Sequence, residues 1–164
     1  MVSQSVTGNG GGGLSEAAVD VRVALYAPTS GTFTPVLWDA TASSSESQTY
    51  VAQAGQYRKI GDMVHYWLTL EISSLGTLTT SEQASVGGLP FTADTGTTHY
   101  PIGSIGYAAG LAISAGVAVG GYVGQASTKV LLTKFSATAG TSSLLVSEFT
   151  AFGRIILSGA YIAA

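Results

Sequence analysis

Cysteine is absent from the 164-residue chain, and charge is scarce. Without thiols there are no disulfides, no thiolate nucleophile and no Cys-based zinc site. Charged residues make up 9% of the sequence, against about 25% in an ordinary globular domain. The six Lys and Arg are scattered and net charge is −3; Arg58 and Lys59 form the only adjacent pair, with Asp62 close behind. Phosphate backbones are held by clustered cations, so nucleic acid is not an expected partner. The two histidines are His65 and His99, and neither has a second ligand at H-x-x-x-H or H-E-x-x-H spacing. No metal and no cofactor is expected. The N-terminus has no basic stretch leading into an apolar core, so no secretory leader is expected either.

What remains is small and apolar. Gly, Ala, Ser and Thr supply half of the residues, and mean hydropathy is +0.37. Eight Tyr, five Phe and two Trp run through the sequence, which separates it from disordered chains of low hydrophobicity. The length suits one domain burying roughly 70% of the surface its unfolded chain would expose. A surface so poor in charge must be rich in Ser, Thr and Gly, or else covered by another subunit.

Residues 95–128 contain no Asp, Glu, Lys or Arg, and "IGSIGYAAGLAISAGVAVGGYVG" at 102–124 has G-x-x-x-G spacings at 106/110, 116/120 and 120/124. An apolar helix with that spacing would pack closely inside a membrane. Frequent glycine and an Ala-dominated apolar content weaken such a helix, and no cations flank it. Short strands joined by glycine turns explain more: Leu111 and Ile113 alternate with small residues, "SAG" at 114–116 turns, and Gly120–Gly121 ends the next strand. No membrane insertion is expected.

The rest of the chain has the same punctuation. "MVSQSVTGNGGGG" at 1–13 reads as a flexible arm, since four consecutive glycines resist any fixed form. Val19, Val21 and Val23 alternate as in a strand, and Pro28 with Gly31 marks a turn. Residues 1–30 therefore form a glycine-rich arm and connector, and 31–164 form the domain. "GTFTPVLWD" at 31–39 is one extended run, with Pro35 placing it at an edge or strand start. After Tyr50–Ala52 and "QYRKI", Gly61–Asp62 turns into the clearest strand. There Val64, Tyr66, Leu68, Leu70 and Ile72 share a core face, opposite Met63, His65, Trp67, Thr69 and Glu71. Strands are also expected at 128–136, at 142–149 and at 153–163, the last interrupted at Gly159. Many short strands without a long helix predict an all-β domain of sandwich or jelly-roll type.

Catalytic signals are weak. No G-x-S-x-G elbow is present, and "GNGGGG" lacks the Lys and Ser/Thr of a phosphate loop. Asp39, Glu71 and Asp94 are the acids whose convergence a glycosidase would need, yet nothing in the sequence pairs them. No catalytic residue is assigned. Aromatics offer more, because Trp38, Trp67, Tyr100 and Tyr107 suit stacking on a sugar ring or anchoring a protein contact. The binding or interface candidates are Trp67 and His65, which share a strand face, and His99 and Tyr100, in the loop "TTHYP".

Five stretches in order add a family resemblance: "GTFTPVL" at 31–37, "YVAQAGQYRKIGDMVHYWLTLEI" at 50–72, "GLPFTAD" at 88–94, "IGYAAGL" at 105–111 and "IILSGAYIA" at 155–163. The set resembles the C-terminal domains of tailed-bacteriophage tail fibres and related virion spikes. Gly55, Tyr57, Lys59, Ile60, Gly61 and Val64 occupy the hairpin pattern, and Gly88 to Phe91 the turn pattern. The resemblance implies an antiparallel β-sandwich of jelly-roll type, assembled as a homotrimer on a virion, with other virion proteins and a host-surface glycan or protein as partners. It implies a non-enzymatic role in host attachment and supplies no ligand-binding residues. A long upstream shaft, usual in fibres, is not found before residue 31, which leaves tail fibre, baseplate tip, head spike and capsid-associated protein open. The alternatives to attachment are a purely structural capsid or tail assembly protein and a polysaccharide depolymerase fragment.

Overall fold

The strict alternation of residues 63–72 becomes β4 (Met63–Ser74). Val64, Tyr66, Leu68, Leu70 and Ile72 are buried, while Met63, His65 and Trp67 face outward. The computed structural model describes residues 27–41, 46–95 and 100–164; the arm and the strand expected at 19–25 lie outside them. The turn at Gly61–Asp62 joins β4 to β3 (Thr49–Ile60), which merges the two short segments expected there into one strand with register shifts at Tyr50. β10 (Phe149–Ile162) lies antiparallel along the other side of β4.

The run 31–39 is not one strand. It divides at Thr34–Pro35 into β1 (Thr29–Phe33), paired with β3, and β2 (Val36–Trp38), paired with β5 (Ser85–Gly87). Gly31, expected in a turn, lies within β1. The remaining strands are β6 (Ile102–Leu111), β7 (Ala118–Val123), β8 (Val130–Ser136) and β9 (Gly140–Ser143). All ten belong to one antiparallel sheet with the path β1-β3-β4-β10-β6-β7-β8-β5-β2, and β9 pairs with β8 beyond the end of β5. β1 and β2 hold opposite ends of this path, yet only Thr34 and Pro35 separate them in the chain. The sheet therefore curls until its two edges meet at that joint. One hydrophobic cluster fills the curl, with Leu37, Leu70, Val86, Leu132 and Ile155 fully buried. All-β, antiparallel architecture is thus established.

Three local expectations are corrected. Gly120–Gly121 does not end a strand, and Gly159 does not interrupt one; β7 and β10 run straight through them. Residues 144–148 are not strand continuing from β9, because Val146–Glu148 forms a 3-10 turn before β10 begins at Phe149. The segment read as a membrane-helix alternative is β6, a turn and β7.

The glycines inside strands make room for rings. A methyl group on Gly55 would sit 2.6 Å from Phe33, on Gly87 2.0 Å from Trp38, on Gly120 2.7 Å from Phe135, and on Gly159 2.7 Å from the Tyr66 hydroxyl. Each aromatic side chain lies across a bare stretch of backbone on a neighbouring strand, supplying the packing that glycine lacks. Strands this poor in bulk hold together because the few large side chains cover the gaps.

The widely separated motifs also meet. The Phe91 ring of "GLPF" stands edge-on to Tyr57 at 5.3 Å and lies 5.5 Å from the Lys59 ammonium, both on β3. Its backbone N–H donates to the Tyr161 hydroxyl at 3.2 Å, and that hydroxyl donates to the Phe91 carbonyl at 2.9 Å. Hairpin, turn and final strand are therefore one joint.

Candidate functional site

Register gives the molecule two ends. Thr29 lies opposite Lys59 and Ile162 opposite Met63, so the first described strand begins, and the chain finishes, at the β3–β4 hairpin end. Thr49 opposite Ser74 and Phe149 opposite Leu111 mark the far end.

Trp67 and His65 share the outer face of β4, as their parity requires. Trp67 is 43% exposed, and its indole N–H donates to the Gln56 side chain at 3.2 Å. Shallow depressions of about 210 and 280 Å³ flank it, one toward Ile156 and one toward Ser30 and Arg58. His65 lies between Arg58 and Ala160 in the ladder. Further along this face Tyr107 is half-exposed, with the Arg154 guanidinium 5.9 Å from its ring and 3.7 Å from the Glu71 carboxylate. Ile60, Met63 and Ile162 form an adjoining row of partly exposed apolar side chains.

Tyr100 is elsewhere. It stands edge-on to Tyr122 at 5.3 Å and lines an open groove of about 440 Å³ with Ile102, Phe135 and Thr133, on the outer side of β7 and β8. His99 lies outside the described residues. The described candidates thus divide between two faces rather than forming one site. Trp38 is packing, laid over Gly87 with the Lys129 ammonium 5.2 Å from its ring.

The three acids do not converge. Asp39 is buried, and its carboxylate accepts from the Thr41 N–H at 3.0 Å, the Thr41 hydroxyl at 2.8 Å and the Thr79 N–H at 3.0 Å. It ties two loops together. Glu71 is on the outer face of β4, and Asp94 is at the hairpin end, where its N–H donates to the Ile162 carbonyl. Among the described residues no cluster of three His, Asp or Glu is placed to hold a metal. No helix among them is long and apolar enough to cross a membrane. Burial raises the tyrosine pKa values inside the core: Tyr66 well above the ordinary range, Tyr161 to about 12, and Tyr50 upward against the opposing backbone bond to Leu37.

A further cavity involves residues that sequence reasoning passed over. β6 and β7 share two ladder pairs, Ile102 with Tyr122 and Gly103 with Gly121, before parting toward their connecting turn. At the far end a cavity of about 500 Å³ opens between that turn and the β8–β9 turn. Lys134 and Glu148 form an ion pair in its wall, their side chains 25% and 15% exposed. The other carboxylate oxygen of Glu148 accepts the Leu145 N–H at 2.8 Å. A signal existed: Lys134 has the strand parity of Val130 and Leu132, both fully buried, so it is a charge on a core-facing row.

No family model matches the chain, and no curated protein matches it in sequence. Among solved structures, the crystal structure of the Dettilon tailspike protein shares this fold. The TM-score is 0.69 at 20% identity, over 84% of this chain and 24% of that one. The matched region is thus about a quarter of the tailspike's length.

Proposed function

We propose that the chain is a domain of a bacteriophage tailspike or tail-fibre protein that attaches the virion to the bacterial surface as a homotrimer, without catalysis. The observation that carries this reading is the fold held in common with the Dettilon tailspike protein over 84% of the chain. The ordered motifs of residues 31–163 point the same way. The jelly-roll description belongs to this reading too, its support being a curled antiparallel sheet whose edges meet at Thr34–Pro35.

The outer face of β3, β4 and β10 supports assembly. Ile60, Met63, Trp67, Ile156 and Ile162 are each more than a third exposed there, beside small or polar neighbours. Apolar groups gathered on one face mark an interaction surface, and a three-fold arrangement buries the same patch on every copy. The non-catalytic reading is supported by the separate structural ties of Asp39 and Glu71. Other virion proteins would hold the hairpin end, in a tail fibre, baseplate tip or head spike, and leave the far end toward the host.

Sedimentation equilibrium and adsorption assays test this. The purified chain is expected to sediment with three times its 16.6 kDa mass and to bind host bacteria saturably. A monomer that fails to bind overturns the proposal. New reducing ends in host polysaccharide would replace it with a depolymerase.

A further inference from the structure

The far-end cavity has chemistry that packing alone does not require. Lys134 follows Val130 and Leu132 on the inward row of β8, where an apolar side chain would serve stability at no cost in desolvation. Replacing a partly buried ion pair with well-packed apolar groups is often neutral or stabilising. Here the pair instead lies open to about 500 Å³ of space, within the range of about 300–1,000 Å³ typical of ligand sites.

We infer that this cavity is a binding subsite for a neutral saccharide unit, held by Lys134 and Glu148. The ammonium has three donors and the carboxylate about four acceptor positions, and the bonds to each other and to Leu145 engage only part of that capacity. Donor and acceptor therefore stand side by side, the complement of adjacent sugar hydroxyls, each of which both donates and accepts. The pair sums to zero charge. An anionic ligand would meet Glu148, and a cationic one Lys134, so an uncharged polyol is favoured over both. Ser136 and Ser142 add hydroxyls to the wall, and Ile113 and Val117 offer partly buried apolar surface to the C–H face of a ring. Its place between two turns lets a saccharide enter without disturbing the core. The inference rests on the attachment reading for the source of the sugar, a bacterial surface glycan; the pocket's chemistry stands apart from it.

Saturation-transfer NMR on the full chain tests it, with D-glucose, D-galactose and N-acetyl-D-glucosamine as neutral probes and D-galacturonate as the charged control. At least one neutral sugar is expected to bind in the millimolar range and galacturonate more weakly. Glu148→Gln, which keeps shape but removes the charged acceptor, is expected to weaken binding roughly tenfold or more. Ala115→Trp, which crowds the rim and leaves the ion pair in place, is expected to abolish it. Melting temperatures of both variants separate lost binding from lost folding. Failure of every neutral sugar, preference for galacturonate, or binding unchanged in a folded Ala115→Trp variant would overturn the subsite. Adsorption to bacteria, measured in parallel, separates the two claims. Adsorption without sugar binding removes the subsite and keeps attachment; sugar binding without adsorption does the reverse.

Discussion

At the scale of single residues, two tyrosines packed 5.8 Å apart behave oppositely. The Tyr161 hydroxyl bridges both polar groups of Phe91, whereas the Tyr66 hydroxyl is buried with no protein partner. Tyr161→Phe is expected to lower stability by about 1–3 kcal/mol, the cost of unpaired buried groups. Tyr66→Phe is expected to leave stability unchanged or raise it, because it removes a hydroxyl whose burial is uncompensated; urea denaturation compares them. Both phenols keep their protons to higher pH in the folded chain than in the unfolded one. Above about pH 10 the unfolded state binds fewer protons, so stability falls as pH rises. The expected slope is about 1.4 kcal/mol per pH unit for each group. It extends through about pH 12 for Tyr161 and further for Tyr66. A fall in stability above about pH 10 that is smaller in the Tyr66→Phe, Tyr161→Phe double variant is the expected sign. Gly88 is a second sensitive position, at φ +88° with a Cβ that would fall 2.4 Å from the Thr34 carbonyl. Gly88→Ala should cost about 1–3 kcal/mol, while Gly106→Ala, which meets nothing within 4 Å, should be nearly neutral in thermal unfolding.

At the scale of elements, β4 separates a core face from the face proposed for assembly. Leu70 is fully buried on its inner face, and Leu70→Ala is expected to cost about 2–5 kcal/mol in urea denaturation. Met63 and Trp67 lie on its outer face, so, if the proposed trimer uses that face, Met63→Glu and Trp67→Arg should leave the monomer folded and shift sedimentation from trimer toward monomer. Circular dichroism checks that the fold survives. This strand was legible residue by residue because one face is buried and the other open, the condition under which period two appears in sequence. β7 and β10 were less legible. Glycine reads as a break until the ring lying over it is known, and Phe135 and Tyr66 come from other strands.

At the scale of the whole molecule, the candidate contacts fall on separate surfaces. Trp67 and His65 share the β3–β4–β10 face, Tyr100 looks over β7 and β8, and the Lys134–Glu148 cavity opens at the far end. Such a division is what the proposed trimer and the proposed saccharide subsite require, copies meeting at one face and a ligand at one end. β6 and β7 part after two ladder pairs, and the cavity opens between their connecting turn and the β8–β9 turn.

The amino-acid order alone determined the all-β class, the core face of β4 and the hairpin at Gly61–Asp62. Each follows from alternation, turn residues or composition, which are local properties. Only the tertiary structure decided that Thr34–Pro35 joins opposite edges of the sheet, that Phe91 meets both Tyr57 and Tyr161, and that Lys134 finds Glu148 in the wall of a cavity. Those outcomes depend on which strands become neighbours. That choice is made by burying one shared core, and no short window of sequence contains it.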